Sequence, residues 1–530
     1  MKRRGLFAAL AVAALLLSGC GPSAPEPEAT AESSSEPQTG GTILTVQRYV
    51  LPGGLNFLTN PDPGLGGEIG PSYSKLVDFQ TDADVVGTEI GPDLAESWDI
   101  SDDGLTYTFH LRENATFHDI PPVNGRAVTS ADVVATFEAV RELKSSTAYQ
   151  FAAVQSIEAP DEHTVVITLN EPQVQFLENM AMPGNYIAPV EGVNGEYDMD
   201  KVLIGSGPFV LVEWDPATLW HREKHPGYFQ EGLPYADAMD TLIVTDAAAR
   251  YAALRSGRLL HADVALPEQA ETLIATGDFS SVAQMTGPEM LYMNTDVAPL
   301  DDLRVRRAIA LAIDWEGMGE SIRKVYGLTS VVPPAFGGLS EDELREVRPY
   351  DPDQARELLD EAGVDGLSLS MIVQQVDGKD VSEAQWIVED LKAVGIDVTL
   401  ELVDPATYGK RRASTQFELA RGLRTLLSAD QYMTELQSTS GTNFTHVNDP
   451  RLDELLAQSR VESDPDARNE LIKEFTRYFE TEVATVIAGP LTYDIFVWNN
   501  SLHNAYTSPD GVSPYVIRYG QMLGQMWIAQ

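Results

Sequence analysis

Between Leu105 and Leu111 apolar and polar residues alternate, with Tyr107, Phe109 and Leu111 on one face and Thr106, Thr108 and His110 on the other. That period of two predicts a half-buried strand. Ser101-Asp102-Asp103-Gly104 before it has turn chemistry, so Glu96 to Leu111 reads as a hairpin. Thr129-Ser130-Ala131-Asp132 can cap and start a helix, with an acid in its first turn. Val305, Ala308, Ile309, Ala312 and Ile313 make the stripe of another helix. Asp351-Pro352 with Gln354 predicts an N-cap followed by proline at the first helical position, in a helix ending at Gly363. A strand (Leu367 to Val373), a helix (about Val381 to Val394), the stop Gly395 and a strand (Ile396 to Val403) follow. This βαβ order implies parallel strands. Asp464-Pro465 opens a late helix whose stripe is Leu471, Phe475, Tyr478 and Phe479. The pattern is mixed α/β, without a short internal repeat.

The ends of the pattern are informative too. Lys2, Arg3 and Arg4 precede an apolar run, Gly5 to Leu17, too short to span a bilayer comfortably. It closes on Leu17-Ser18-Gly19-Cys20, which resembles the bacterial lipobox; the resemblance implies that Cys20 is lipidated after cleavage. Cys20 is the single cysteine of the chain, placed where lipidation needs it. Residues 21–41 are rich in Pro, Ser, Glu, Ala and Thr and have no apolar period, so they read as a flexible tether. The 530 residues are 43% hydrophobic and 22% charged, enough for more than one core. Against 36 Lys and Arg stand 80 Asp and Glu, a formal net charge of -44. Such a chain is repelled by nucleic-acid phosphates and by anionic lipid headgroups, so neither is an expected partner. The charge itself reads as a solvated surface.

Seven stretches in register resemble the extracytoplasmic solute-binding proteins of peptide and nickel ABC importers, bacterial family 5. They are GPDLAESWDISDDGLTYTFHLRENATFHD (Gly91–Asp119), VTSADVVATFE (Val128–Glu138), GSGPFVLVEW (Gly205–Trp214), HPGYF (His225–Phe229), PLDDLRVRRAIALAIDWEGM (Pro299–Met318), DPDQARELLDEAG (Asp351–Gly363) and QWIVEDLKAVGIDVTLELV (Gln385–Val403). The resemblance implies a two-lobed, periplasmic-binding-protein-like α/β fold of the large class II type. Its first lobe would hold 42–68, 199–287 and 500–530, with an extra subdomain at 69–198; the second lobe would be 288–499. Crossing segments are expected at Gln284–Asn294 and Gly489–Asn499. The implied function is capture of a peptide or other small polar solute between closing lobes, by a lipid-anchored, extracytoplasmic monomer that delivers it to permease and ATPase subunits. Closure on a ligand would shift the population towards the closed form.

Reactive constellations are missing from the sequence. Gly378-Lys379 and Gly409-Lys410 continue as Asp380 and Arg411, so neither is a P-loop. Gly205-Ser206-Gly207-Pro208 lacks the Lys-Ser/Thr ending, and Pro208 removes a donor, so it reads as a structural turn. No G-x-S-x-G elbow occurs. His221 and His225 stand four apart, but Arg222 follows His221 where a zincin has Glu. Catalysis, a cofactor and a metal are therefore not expected.

For the ligand, the family's dipeptide branch implies an aspartate for the amino group and an arginine for the carboxylate. The aspartate position falls on Asp430. The arginine position falls on Gln374-Gln375, and the nearest downstream cation is Lys379. Arg421 and Arg424 either face the cleft, where guanidinium binds carboxylates bidentately, or are charges at a strand end. Tyr73, Tyr432 and Phe444 are aromatic candidates for cleft contacts or core, while Trp386 reads as packing. Rivals are a nickel or nickel-chelate binder, with His446 the one histidine near the expected region, a sensory lipoprotein and a surface hydrolase.

Overall fold

Aspartate followed by proline starts much of the helical structure. In the computed structural model, Asp351 and Asp464 accept first-turn backbone N–H bonds ahead of the helices Pro352–Glu361 and Pro465–Tyr478. The same dipeptide opens two helices that the pattern reading passed over, Pro405–Ala413 on Asp404 and Pro450–Val461 on Asp449. Each carboxylate satisfies N–H groups that a helix start leaves open and lies at the positive end of the dipole. Part of the acidic composition thus has a structural use. The structure describes residues 36–530 except 52, 61–62, 81–89, 144–146, 325, 376–377, 425, 427, 506–511, 514–520 and 530. Cys20 and the tether up to residue 35 lie outside them. Among the described residues no helix is long and apolar enough to cross a membrane.

The expected hairpin forms from Ala95–Ile100 and Thr106–Leu111, in an antiparallel sheet completed by Thr164–Leu169 and Val154–Asp161. Tyr107, Phe109 and Leu111 are buried as the alternation requires. Asp132 closes its helix start by accepting from the Thr129 N–H at 2.9 Å. A second four-stranded sheet orders Thr42–Gln47, Ala238–Ile243, Leu219–Lys224 and Phe209–Asp215. The expected turn, Gly205 to Pro208, packs against the chain at Ser72 and Tyr73: Gly207 N–H donates to Ser72 O at 3.1 Å. A Cβ on Gly205 would stand 1.9 Å from Ser72 O, and one on Gly207 2.6 Å from Ser72 C. Gly207→Ala should therefore cost about 1–3 kcal/mol by overpacking, seen as an earlier urea midpoint with an unchanged slope.

The largest sheet runs His261–Val264, Val486–Asn499, Phe279–Met293, Leu419–Leu423, Leu367–Gln374 and Ile396–Val403 in spatial order. The helix Gly378–Ala393 makes the crossover between the last two strands, which pair in parallel from Leu367–Ile396 to Gln374–Val403, as the βαβ reading requires. Neighbouring residues on these strands face opposite sides. Leu291, Met293, Met371 and Val373 join one core with the helices Leu303–Ala312 and Pro352–Glu361. Met290, Tyr292 and Ile372 join another with Ala429–Glu435, Pro450–Val461 and Pro465–Tyr478. In that last helix the deepest residues are Ile472, Phe475 and, just beyond it, Phe479, whereas Leu471 and Tyr478 are half-buried. Phe475 and Phe479 of the expected stripe are thus in the core, while Ile472 takes the deep place expected for Leu471.

Phe279–Met293 and Val486–Asn499 pair antiparallel along almost their whole length, from Phe279–Asn499 to Tyr292–Val486. Their register breaks between Met285 and Gly287 and again between Pro288 and Met290. Gly287 adopts φ +132°, open to glycine alone at little cost, and neither Pro288 nor Pro490 has an N–H. Thr492 Oγ1 donates to Gly287 O at 2.9 Å, holding the irregular stretch together. These breaks concentrate twist and bending at the middle of both strands.

Candidate functional site

Leu367–Gln374 is parallel to both Ile396–Val403 and Leu419–Leu423, so all three present their carboxyl ends at one edge. Ligands of open α/β sheets bind outside such an edge. Here the edge is Gln374, Gln375, Val403, Leu423 and Arg424. Gln374 is half-buried and Gln375 exposed; the Gln375 N–H donates to Val403 O at 3.0 Å. Arg424 N–H donates to Pro288 O at 3.0 Å, tying the edge to the register break in Phe279–Met293. Gly422 lets Tyr408 and Gln374 approach closely, since a Cβ there would lie 2.8 Å from the Tyr408 ring and hydroxyl and 2.9 Å from Gln374 Oε1.

The charged candidates are already paired. Arg421, 1% exposed, lies in the sheet beneath the edge and bonds Glu383, with Glu289 Oε2 at 3.4 Å and Asp380 Oδ1 at 3.9 Å. Arg323 joins the same three carboxylates, bonding Glu383 through Nε and lying 3.2 Å from Glu289. Two cations and three carboxylates thus share one interior site. Arg424 Nε stands 2.7 Å from Glu435 Oε1. Arg460 donates to Asp430 through Nε at 2.6 Å and Nη2 at 3.2 Å. Exposing any of these charges to a ligand means giving up an internal partner in a setting where unpaired charge is costly.

The aromatic candidates divide. Tyr432 is buried and tilted against Phe336, its rings 5.8 Å apart, and burial raises its phenol above the ordinary range. Tyr73 is stacked on Tyr186 at 5.6 Å and meets Phe57 edge-on at 5.2 Å, in a separate core. Phe444 lies towards the amino end of Leu419–Leu423, beside a cavity of about 540 Å³ lined also by Thr415, Ser440, Asn443 and His446. Arg412 stacks 4.6 Å over Phe444 and within 5.5 Å of the rings of Tyr292 and Tyr408. Gln374, Gln375 and Arg424 therefore come together at the edge, Arg421 is buried beneath it on the other face of the sheet from Gln374, Asp430 and Tyr432 sit on the next helix, and Tyr73 and Phe444 lie elsewhere. Sequence reasoning passed over Glu289, Arg323, Glu383, Arg412 and Arg460, which no local motif marks. Trp386 is half-buried against a core, as packing requires.

Four of the histidines, His118, His221, His225 and His446, have partners within the protein. His221 Nδ1 is 2.5 Å from Asp240 and His446 Nδ1 is 2.5 Å from Asp296. His118 Nε2 and His225 Nδ1 lie 3.1 and 3.2 Å from the same Gly207 O, with the rings edge-on at 4.8 Å. Among the described residues no three His, Cys, Asp or Glu converge to hold a metal ion.

Residues 89–444 match the model of the bacterial extracellular solute-binding proteins, family 5 (middle region). The chain belongs to this family. It is 27% identical to heme-binding protein A of Haemophilus influenzae, over 88% of this chain and 90% of that one. It is also 27% identical to di/tripeptide-binding protein 1 of Pseudomonas aeruginosa, over 84% and 87%. The solved structure of the ABC transporter-associated periplasmic binding protein DppA from Helicobacter pylori, in complex with the peptide STSA, matches with a TM-score of 0.79 at 22% identity, over 93% of this chain and 99% of that one. This solute-binding protein thus has the two-lobed α/β fold of the family, with the extra subdomain. As a family 5 member it works outside the cytoplasm.

Proposed function

We propose that this protein is the substrate-binding component of an ABC importer, taking a short peptide or a similar small polar solute between its lobes and leaving its covalent bonds unchanged. The reading rests on one observation. The carboxyl edge of three parallel strands, tied to the break in the crossing strands, offers the amides of Gln374 and Gln375 while Arg421, Arg424 and Asp430 are internally paired. Such an edge favours a guest held by neutral hydrogen bonds, as a peptide backbone is, over one selected by free charge. The names of its di/tripeptide-binding and peptide-bound relatives support the same class. The lobes are assigned as 42–68, 199–287 and 500–530 with the subdomain 69–198, and 288–499. Cys20 carries the lipid, and the 21–41 tether gives a monomeric body a reach of roughly 25 Å, at 5–6 Å times the square root of its length, to meet permease and ATPase partners.

Thermal melting in the presence of di- to tetrapeptides with uncharged side chains tests the ligand class. A peptide at a hundred times its dissociation constant adds about 2.7 kcal/mol of stability; no rise with any peptide, or a peptide recovered cleaved, removes the reading. For the anchor, Cys20→Ala should move the protein from the detergent phase to the aqueous phase on Triton X-114 partition. Unchanged partition would refute lipidation at Cys20.

A further inference from the structure

Arg323, Arg421, Arg424 and Arg460 are each met by a carboxylate. Arg412 is not, in a chain with 80 acids to 36 bases. Among the described residues no carboxylate comes within ion-pair distance of it; Glu435, which acts on it from farther off, is held at 2.7 Å by Arg424. Arg412 stands one turn after Tyr408 on the helix Pro405–Ala413. A helical side chain leans back towards the amino end, so its guanidinium meets the Tyr408 ring. Tyr292 and Phe444 complete a box of three rings, their centroids 4.6 to 5.5 Å from Cζ. Aromatic faces attract the cation and fix its plane without using its N–H groups. Nη1 donates to Tyr292 Oη at 3.4 Å. Tyr408 Oη lies close to the guanidinium but, like Arg412 Nε, is buried and in no aligned hydrogen bond among the described residues.

This group lies just behind the proposed edge. Tyr292, Gly422 and Gln374 share a sheet face with Ala420 and Ile372. The Tyr408 hydroxyl and Gln374 Oε1 approach Gly422 at the same point, where a Cβ would stand 2.8 and 2.9 Å from them. Arg412 and Gln374 are both half-buried, so solvent reaches each of them.

We propose that the pocket formed by Arg412, Tyr408 and Tyr292 behind Gln374 receives a carboxylate, which in the bound guest is the carboxyl terminus of a peptide. Donors outnumber acceptors there. Two phenol O–H groups and the uncommitted N–H groups of one guanidinium converge, and the carboxylate nearby, Glu435, is committed to Arg424. Buried donors left without acceptors are costly. A carboxylate brings a negative charge and about four lone-pair positions on two oxygens, and so satisfies such donors together. The contact is non-covalent. The inference rests on the reading of a peptide-binding edge and adds to it which end of the guest is selected: the neutral amides at the edge take the backbone, and the cation behind them takes the terminus.

The test is thermal melting of the whole protein and of Arg412→Met, which keeps an apolar stem among the rings. The probes are trialanine as the free acid, trialanine amide, and sodium acetate against sodium chloride at equal ionic strength. The native protein should bind the acid about tenfold more tightly than the amide, the size of one charge-assisted hydrogen bond, and acetate should raise its melting point. Both differences should vanish in Arg412→Met. They should shrink in Tyr408→Phe, a milder change that serves where Arg412→Met folds poorly. Equal binding of acid and amide, or a preference that survives in Arg412→Met, overturns the carboxylate pocket and leaves the peptide reading intact. Stabilisation by acetate that Arg412→Met abolishes, with no peptide bound, keeps the pocket and removes the peptide reading. No response to acetate or to either peptide removes both.

Discussion

Lowering the pH from 7 to 4.5 should cost the fold about 3 kcal/mol through His118 alone. Its ring is fully buried, and burial, with a smaller contribution from the charge of His225, depresses its imidazole to about 3. His225, also buried, is depressed by burial in the same direction. His118 Nε2 and His225 Nδ1 point at one acceptor, Gly207 O, and His118 Nδ1 accepts from the Gly205 N–H at 3.4 Å, so a second proton on that ring displaces a bond. In the unfolded chain the same histidine takes its proton near 6.5. The unfolded state therefore binds more protons than the native one below that value, and stability falls as pH falls from about 6.5 towards 3, by roughly 1.4 kcal/mol per unit. Glu178 acts oppositely, since its raised carboxyl strengthens the fold as pH falls below about 7. The measurement is accordingly a paired one: urea unfolding at pH 7, 5.5 and 4.5 for the native protein and for His118→Gln. The variant should lose most of the acid-side slope; an equal slope in both would refute the assignment to His118.

A second large effect is expected at Glu383. Its side chain is fully buried and bonds both Arg323 and Arg421. Glu383→Ala leaves two guanidinium groups with Glu289 and Asp380, at distances of 3.2 to 3.9 Å. Breaking a buried pair by removing one partner costs about 3–5 kcal/mol. The double variant Glu383→Leu with Arg421→Met should recover much of that loss, because it removes one of the two guanidinium groups and leaves Glu289 and Asp380 to Arg323. Chemical denaturation of the single and double variants reads the difference directly. If the double variant loses as much as the sum of its singles, the two residues are not coupled. The same pair separates two roles for Arg421. A structural cation changes stability and leaves peptide binding in place once the fold is restored, whereas a ligand-binding cation does not.

Elements held by neighbours in sequence were readable. The alternation at Tyr107, Phe109 and Leu111, the Asp351-Pro352 start and the strand–helix–strand run from Leu367 to Val403 are each set by contacts within a few residues, and the folded chain shows them. Gln374 and Gln375 were singled out only through the resemblance to the family; the βαβ unit that ends before them is what sets them at a carboxyl end. Partners were not readable. Asp430 meets Arg460 thirty residues on, Arg421 meets Glu383 thirty-eight residues back, and His118 meets His225 across more than a hundred. Nothing local distinguishes an arginine that will be neutralised in a sheet from one that will face solvent. Likewise Ile472 and Leu471 are equally apolar, and which of them is deeper depends on what the rest of the chain packs against their helix.

The largest sheet carries His261–Val264 at one side and Ile396–Val403 at the other, with the long pair Val486–Asn499 and Phe279–Met293 between them. The lobes are therefore not interchangeable modules joined by string. On the proposed lobe boundaries, a chimaera that borrowed a relative's second lobe would have to cut through hydrogen-bonded ladder, or import both long strands with their bulges and the partners of Arg421 as one piece. If the proposed edge holds the ligand, altering its side chains changes specificity and leaves the common fabric uncut.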